Sequence, residues 1–425
     1  MIILLTHRPI AGQSCFYTII RQVIRWFRTC GKLSASEMFL VRVTFLTLFV
    51  SFRWGVNFWL FDELFSTRSL LFFNNFQIDS DSLIFERFRL NQTAGMFSVF
   101  PSLGQTGSYT SQFGLGGWLL VLVPSVLNVS AASAASALYT FCALFNAMVV
   151  TAILIYVSRI LSRGSAFLAL CAFLQPFPTS INHSTYWMFG LKLLPAVVLV
   201  FPLSKFQEKL SPTLILSFFG SLLVFLSGYE FATTVMSLQL GVLVYFSVIL
   251  GWTVKFVVYT VGKLFGVLLM ALGTALAIHQ LQIQIRFKSV GTGADIFKDF
   301  FGRNIGTTDL DPINVLKTYL QIPVIGFTGA NFQFFTISVL LLLVCLAVCL
   351  SFFLDREQIP AMEKAAWLSW FVTLSGPIGW FTLASSHSVI HRHINPAIWF
   401  FPTVPLGLAI IWQVFTRRVA RMRLG

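Results

Sequence analysis

Residues 134–157 read AASALYTFCALFNAMVVTAILIYV, an uncharged run closed by Arg159 and Arg163. A helix crosses the hydrocarbon core of a bilayer with roughly 20 apolar residues, and a charge at its centre costs about 2.5–3.5 kcal/mol. The run therefore predicts a membrane-spanning helix with a basic flank. Similar runs recur along the chain at 38–61, 165–180, 187–203, 213–229, 235–254, 260–279, 332–354, 365–385 and 396–415. The expected fold class is an all-α polytopic membrane protein of about ten spans, occupying 38–415 between a basic N-terminal segment, 1–37, and a basic tail, 416–425.

Composition agrees. The 425 residues are 56% hydrophobic and 10% charged, with mean hydropathy +0.81, which leaves too little polar surface for a water-soluble globular enzyme. The net charge of +14 would suggest nucleic acid elsewhere; here its placement carries the information, and no nucleic-acid partner is expected. Arg8, Arg21, Arg25, Arg28 and Lys32 precede the first span, while Arg417, Arg418, Arg421 and Arg423 follow the last. Both termini are therefore expected in the cytoplasm, which requires an even number of crossings. Ten crossings put Arg159, Arg163, Lys205, Lys209, Lys255, Lys263, Arg356 and Lys364 on the same side.

The apolar segment 113–128 competes as a span, but counting it breaks this parity. It reads instead as an interfacial or re-entrant helix on the outer face, with Trp118 at the headgroups. No cleavable signal peptide is expected, because the first long apolar run starts only near residue 38. Residues 17–28, YTIIRQVIRWFR, have the amphipathic spacing of a helix lying on the inner surface. The six cysteines imply no disulfide framework.

On this topology two long loops, 62–133 and 280–331, face outward with most of the acidic residues and with His183, His279, His387, His391 and His393. In the first loop Asp79 and Asp81 precede a segment in which Leu83, Ile84, Phe88 and Leu90 alternate with polar residues up to Gly95. This predicts an amphipathic helix with carboxylates at its N-terminus, where the helix dipole favours negative charge, and glycine at its end. The aspartates are either caps or reactive carboxylates meeting a lipid-borne substrate. Asn91-Gln92-Thr93 matches a glycosylation sequon.

The stretch Asp81, Leu83, Arg87, Gln92, Gly95, Ser98, followed by Tyr109, Ser111, Gln112 and Gly114, resembles a pattern in GT-C-like membrane proteins of bacterial polysaccharide clusters. The layout as a whole resembles the GT-C class of integral-membrane glycosyltransferases: a cytoplasmic N-terminus, a first span, then an outer loop with an acidic residue opening a juxtamembrane helix. The likeness covers the chain as topology and about residues 79–120 as motif. It implies transfer of a sugar from a polyprenyl-phosphate-linked donor to an extracytoplasmic glycan or lipid-linked acceptor, in a bacterial inner membrane. Many members carry adjacent acidic residues at the helix start. Here Asp79-Ser80-Asp81 stands in that place, and the adjacent pair Asp62-Glu63 lies earlier, so all four are candidate bases.

Such a transfer needs a carboxylate to take the acceptor's proton and cations or donors to hold the departing phosphate. Candidate substrate contacts are His387, His391, Arg392 and His393 between the last two spans, together with Tyr229, Glu230, His183, Lys192, Arg87, Gln92, Tyr109 and Gln112. His387 and His391, four apart, make only a weak metal signal. No cofactor is firmly implied, and a divalent metal is left open. Lys192 and Arg53, inside spans, are expected to snorkel to the interface in preference to a role in the bundle. The rival functions are a polysaccharide ligase or polymerase, centred on 280–331 and 387–393, and a lipid-linked oligosaccharide flippase, whose mark would be charge inside the bundle at mid-depth, whereas this sequence puts its polar groups at the outer boundary.

Overall fold

The computed structural model describes residues 34–54, 81–94, 113–205, 210–229, 231–287, 316–317, 320–321, 336–355, 359–384 and 396–422. Every regular element among them is a helix: α1 (Ala35–Trp54), α2 (Ser82–Ala94), α3 (Leu115–Val126), α4 (Ala131–Ile160), α5 (Arg163–Phe173), α6 (Pro176–His183), α7 (Phe189–Lys205), α8 (Leu210–Ser227), α9 (Ala232–Ile249), α10 (Val254–Phe287), α11 (Ile337–Asp355), α12 (Ala361–Thr373), α13 (Ser375–Leu383), α14 (Pro396–Phe400) and α15 (Thr403–Met422). The protein is all-α. The chain up to Thr44 forms one unit and Phe45 onward another. In the first, Ser34 and Glu37 cap α1 reciprocally: the Glu37 N–H donates to Ser34 Oγ, and the Ser34 N–H to Glu37 Oε2.

Four helices, not ten, are long and apolar enough to cross a membrane among the described residues: α4, α8, α9 and α10. The shortfall has local causes. The expected span 165–180 is broken after Phe173 into α5 and α6, with Pro176 opening α6. The expected span 365–385 divides at Leu374 into α12 and α13. That at 396–415 becomes the five-residue α14 followed by α15. α7 carries Pro195 and Pro202 inside it. By contrast α10 has 34 residues, about 51 Å at 1.5 Å per residue, and runs to Phe287, so helix replaces the start of the loop expected at 280. α3 has 12 residues, about 18 Å and too short to cross, as its loop assignment required. Its Trp118 is buried in the protein, however, and does not face headgroups.

From Phe45 onward the body is organised around α9, which packs on α7, α10, α12 and α13. Gly241 of α9 sits against Ser369 and Thr373, and Gly376 sits against Thr234 and Ser237, so small residues let these backbones approach closely. The last helix is fastened by a buried ion pair. Arg417 donates to Glu363 Oε2 and to Ser351 Oγ, each at 2.8 Å, tying α15 to α12 and α11, and Glu363 is 2% exposed. Removing one partner of such a pair strands a buried charge and costs about 3–5 kcal/mol. Arg417→Ala should therefore lower the thermal unfolding midpoint of the detergent-solubilised protein sharply, while Lys255→Ala, at an exposed position, should leave it almost unchanged.

Candidate functional site

The site grows from the seat of α2. Ile84 and Phe88 pack with Leu120 and Val121 of α3 and Leu138 of α4, so the apolar stripe read in the sequence faces protein. Asn91 Nδ2 donates to Ser125 Oγ at 3.1 Å, and Gln92 Nε2 to the Val129 carbonyl at 3.0 Å. Asn91 is buried, which removes the sequon as an accessible glycan acceptor. Arg87 is wholly buried, 0% exposed, on the same helix.

Asp81 stands one residue before α2 and is 1% exposed. It is not an exposed cap: its carboxylate reaches across the fold. Oδ1 accepts from Ser184 Oγ (2.8 Å), Thr185 Oγ1 (2.9 Å) and the Tyr186 N–H (2.9 Å), while Oδ2 accepts from the Tyr139 hydroxyl (3.1 Å). Ser184 Oγ in turn accepts from the Trp187 N–H at 3.3 Å. The turn joining α6 to α7 is thus folded around one carboxylate. Burial pushes the Asp81 carboxyl above the ordinary range, and these four donors pull it back down without cancelling the rise.

Behind Tyr139 lies His183, its ring stacked on the tyrosine at 4.4 Å and 10°. Its Nδ1 is 2.8 Å from the Phe52 carbonyl of α1, so Nδ1 carries the proton in a neutral ring. Burial pushes His183 down to about 4, and the nearby Arg53 adds to the fall. His183 is therefore uncharged at neutral pH and offers no cation to a phosphate. Arg53 donates to Thr140 Oγ1 at 2.9 Å and Ser136 Oγ at 3.2 Å, fastening α1 to α4. Ser51 meets Thr179 of α6 at 3.2 Å.

The polar layer continues inward. Asn146 Nδ2 donates to the Asn182 carbonyl, and its Oδ1 accepts from the Gly190 N–H, both at 2.7 Å. A Cβ at Gly190 would stand 2.6 Å from that Oδ1, so this contact needs glycine. Lys192 does not snorkel. It is 5% exposed, with Nζ 5.9 Å from the Phe231 ring centroid. A buried cation in a membrane bundle marks a functional position by default. Phe231 itself adopts φ +67°, a strained region for a bulky residue. It packs on Trp187 (5.4 Å), Trp380 (5.7 Å) and Phe401 (5.4 Å). These rings form an aromatic layer beneath the turn that holds Asp81.

Of the residues marked in the sequence, Asp81 and His183 come together around Tyr139, and Lys192 lies on the aromatic layer beneath the same turn. Gln92 is exposed on α2, where it donates to the Val129 carbonyl. Tyr229 is buried elsewhere, its ring 5.6 Å from His279 and its hydroxyl 3.4 Å from the Ala275 carbonyl. Asp62, Glu63, Asp79, Tyr109, Gln112, Glu230, His387, His391, Arg392 and His393 lie outside the described residues. Among the described residues no three His, Cys, Asp or Glu side chains gather as metal ligands. Sequence reasoning missed Tyr139, Ser184, Thr185 and Asn146. The available signal was Asn146, an amide in the middle of an otherwise apolar span. No family model matches the chain, and no curated protein or solved structure is significantly similar to it.

A histidine buried neutral must be charged on acidification. Its depressed value means that it supports the fold fully above about 6.5 and loses that contribution as pH falls toward about 4. Thermal midpoints measured from pH 7 down to pH 4 should fall more steeply for the natural protein than for His183→Asn, whose amide can still donate to the Phe52 carbonyl. Parallel curves would show that His183 is not held neutral.

Proposed function

We propose that the chain is an integral-membrane glycosyltransferase that moves a sugar from a polyprenyl-phosphate carrier to an extracytoplasmic glycan or lipid-linked acceptor. The observation that carries this reading is the uneven seat of Asp81. Oδ1 is engaged by three donors, whereas Oδ2 accepts from the Tyr139 hydroxyl alone among the described residues. One oxygen is held, and the other keeps a lone pair for a proton.

In the proposed step the acceptor hydroxyl displaces Tyr139 from Oδ2. Its proton passes to that oxygen as its own oxygen bonds to the anomeric carbon. The bond from that carbon to the carrier's phosphate oxygen breaks, and the phosphate leaves with the electron pair. Burial makes Asp81 a stronger base than an exposed aspartate. Lys192 and Arg87 supply buried positive charge near the transfer, with His387, His391, Arg392 and His393 completing the phosphate contacts. In this reading α1, α7 and α11, with the consecutive helices α5–α6, α12–α13 and α14–α15, join the four long helices to complete ten crossings, both termini are cytoplasmic, and the active face is periplasmic in envelope or capsule polysaccharide synthesis.

One observation favours a second reading, a lipid-linked saccharide transporter. Lys192, Asn146 and Gln239 are buried within the bundle, where the sequence had suggested that polar groups keep to the outer boundary. Vesicles loaded with an acceptor and supplied with a polyprenyl-phosphate sugar separate the two, since a new glycosidic bond supports transfer and translocation without bond formation supports transport.

Asp81→Asn should lower transfer per folded molecule by about 10²–10⁴-fold, the usual loss of a positioned base. Tyr139→Phe removes a donor that favours the ionised carboxylate, so Asp81 titrates higher and the acid limb of the pH–rate profile moves to higher pH. If Asp81 is only a structural tie, both variants will lose stability and yield while the activity of the folded fraction and its pH profile stay where they were.

A further inference from the structure

On the far side of the aromatic layer the bundle holds a cavity of about 160 Å³ that the Asp81 site does not use. Its walls come from α4, α5, α7, α9, α12 and α15, which contact one another in sequence around a ring: α4 on α7, α7 on α9, α9 on α12, α12 on α15, α15 on α5 and α5 on α4. One end is closed by Phe401, which packs on Phe189 at 4.2 Å. From there the cavity runs along Leu193, Ala196 and Val200 of α7 to Ile160 and Leu161, where α4 ends.

The lining is almost wholly apolar. Its few hydroxyls include that of Thr373, which is already spent on the Trp370 carbonyl at 2.7 Å. Ordered water needs two to four polar partners, and this wall does not provide them. A helix, about 10 Å across, is too wide for it; an extended hydrocarbon chain is not. The end reached by Ile160 and Leu161 is also the basic end of the bundle. Arg159 and Arg163 are exposed there, one at the close of α4 and one at the start of α5, and Lys364 is half-exposed near the start of α12. Glu363, near the start of α12, is paired with Arg417.

From an apolar slot within the helix bundle and a cationic rim at one end, we infer that the protein binds an anionic glycerophospholipid of the adjacent leaflet. A segment of one acyl chain fills the cavity, and the phosphate lies at the Arg159, Arg163 and Lys364 rim. This rests on the bundle's membrane setting and is independent of the role given to Asp81. The lipid is a resident that fills and braces the ring, on the opposite side of the aromatic layer from the carboxylate.

The test purifies the full chain in mild detergent, identifies retained lipid by native mass spectrometry, and measures the thermal midpoint in phosphatidylcholine discs with and without phosphatidylglycerol. The natural protein should keep about one phosphatidylglycerol and gain stability when it is supplied. Ala196→Phe, which fills the slot, should lose the retained lipid and the phosphatidylglycerol effect together. Should that variant fail to fold, Arg159→Gln with Arg163→Gln leaves the slot intact and should weaken phosphatidylglycerol binding about thirty-fold, each basic residue near a surface adding roughly fivefold. Retention of phosphatidylcholine equal to that of phosphatidylglycerol, retention of a polyprenyl phosphate in place of phospholipid, or an undiminished effect in the rim variant would each overturn the proposal.

Discussion

Placing an ionisable carboxyl where water cannot reach it is the constraint on which this end of the protein depends. An unsatisfied buried carboxylate is far too costly to keep, so Asp81 obliges its surroundings to supply donors. They come from the middle of α4, through Tyr139, and from the turn between α6 and α7, through Ser184, Thr185 and the Tyr186 amide. Three segments far apart in sequence are thereby held to one another, and α2 is placed against α3 and α4. The apolar contacts of Ile84 and Phe88 add area to this arrangement, but area is indifferent to register. The hydrogen bonds are what specify which turn meets which helix.

The same turn connects two chemically unlike halves of the bundle. Above it lie the carboxylate, the neutral His183 and the Asn146 pairings; below it lies the aromatic layer of Trp187, Phe231, Trp380 and Phe401. Tyr186 donates its amide to Asp81, and its ring packs edge-on to Trp187 at 4.9 Å, so adjacent residues face polar and apolar neighbours. Lys192 lies on this boundary against Phe231, and the apolar cavity begins beyond Phe401. The layer of large rings thus lies between the turn that holds Asp81 and the apolar cavity. The positive φ of Phe231 is the strain that accompanies threading the chain through that layer.

Much of this was legible in the sequence, and the part that was not has physical causes. Hydropathy reported the helical class, and the period of Leu83, Ile84 and Phe88 reported α2, because both depend on local spacing. Asp81 stood out for the same reason: a carboxylate beside an apolar stripe is locally anomalous. Its partners did not. Tyr139 looks like one more aromatic in a span, and Ser184 and Thr185 look like loop residues, since hydrogen bonds across 58 to 104 residues leave no local pattern. The helix breaks after Phe173 and at Leu374 left no mark in the apolar composition of the runs that contain them. Lys192 was misjudged because snorkelling is the usual solution for an isolated lysine. In the folded chain the Phe231 ring beside it favours an inward position.

The central claim is that Asp81 and the 184–186 turn are energetically one unit. The most direct measurement is a double-mutant cycle on unfolding free energy in detergent, combining Asp81→Asn with Ser184→Ala. Hydrogen bonds to a charged group contribute about 1.5–3 kcal/mol, so the two substitutions should be coupled by at least about 1 kcal/mol. Strict additivity, with each substitution costing the same whether or not the other is present, would contradict the account.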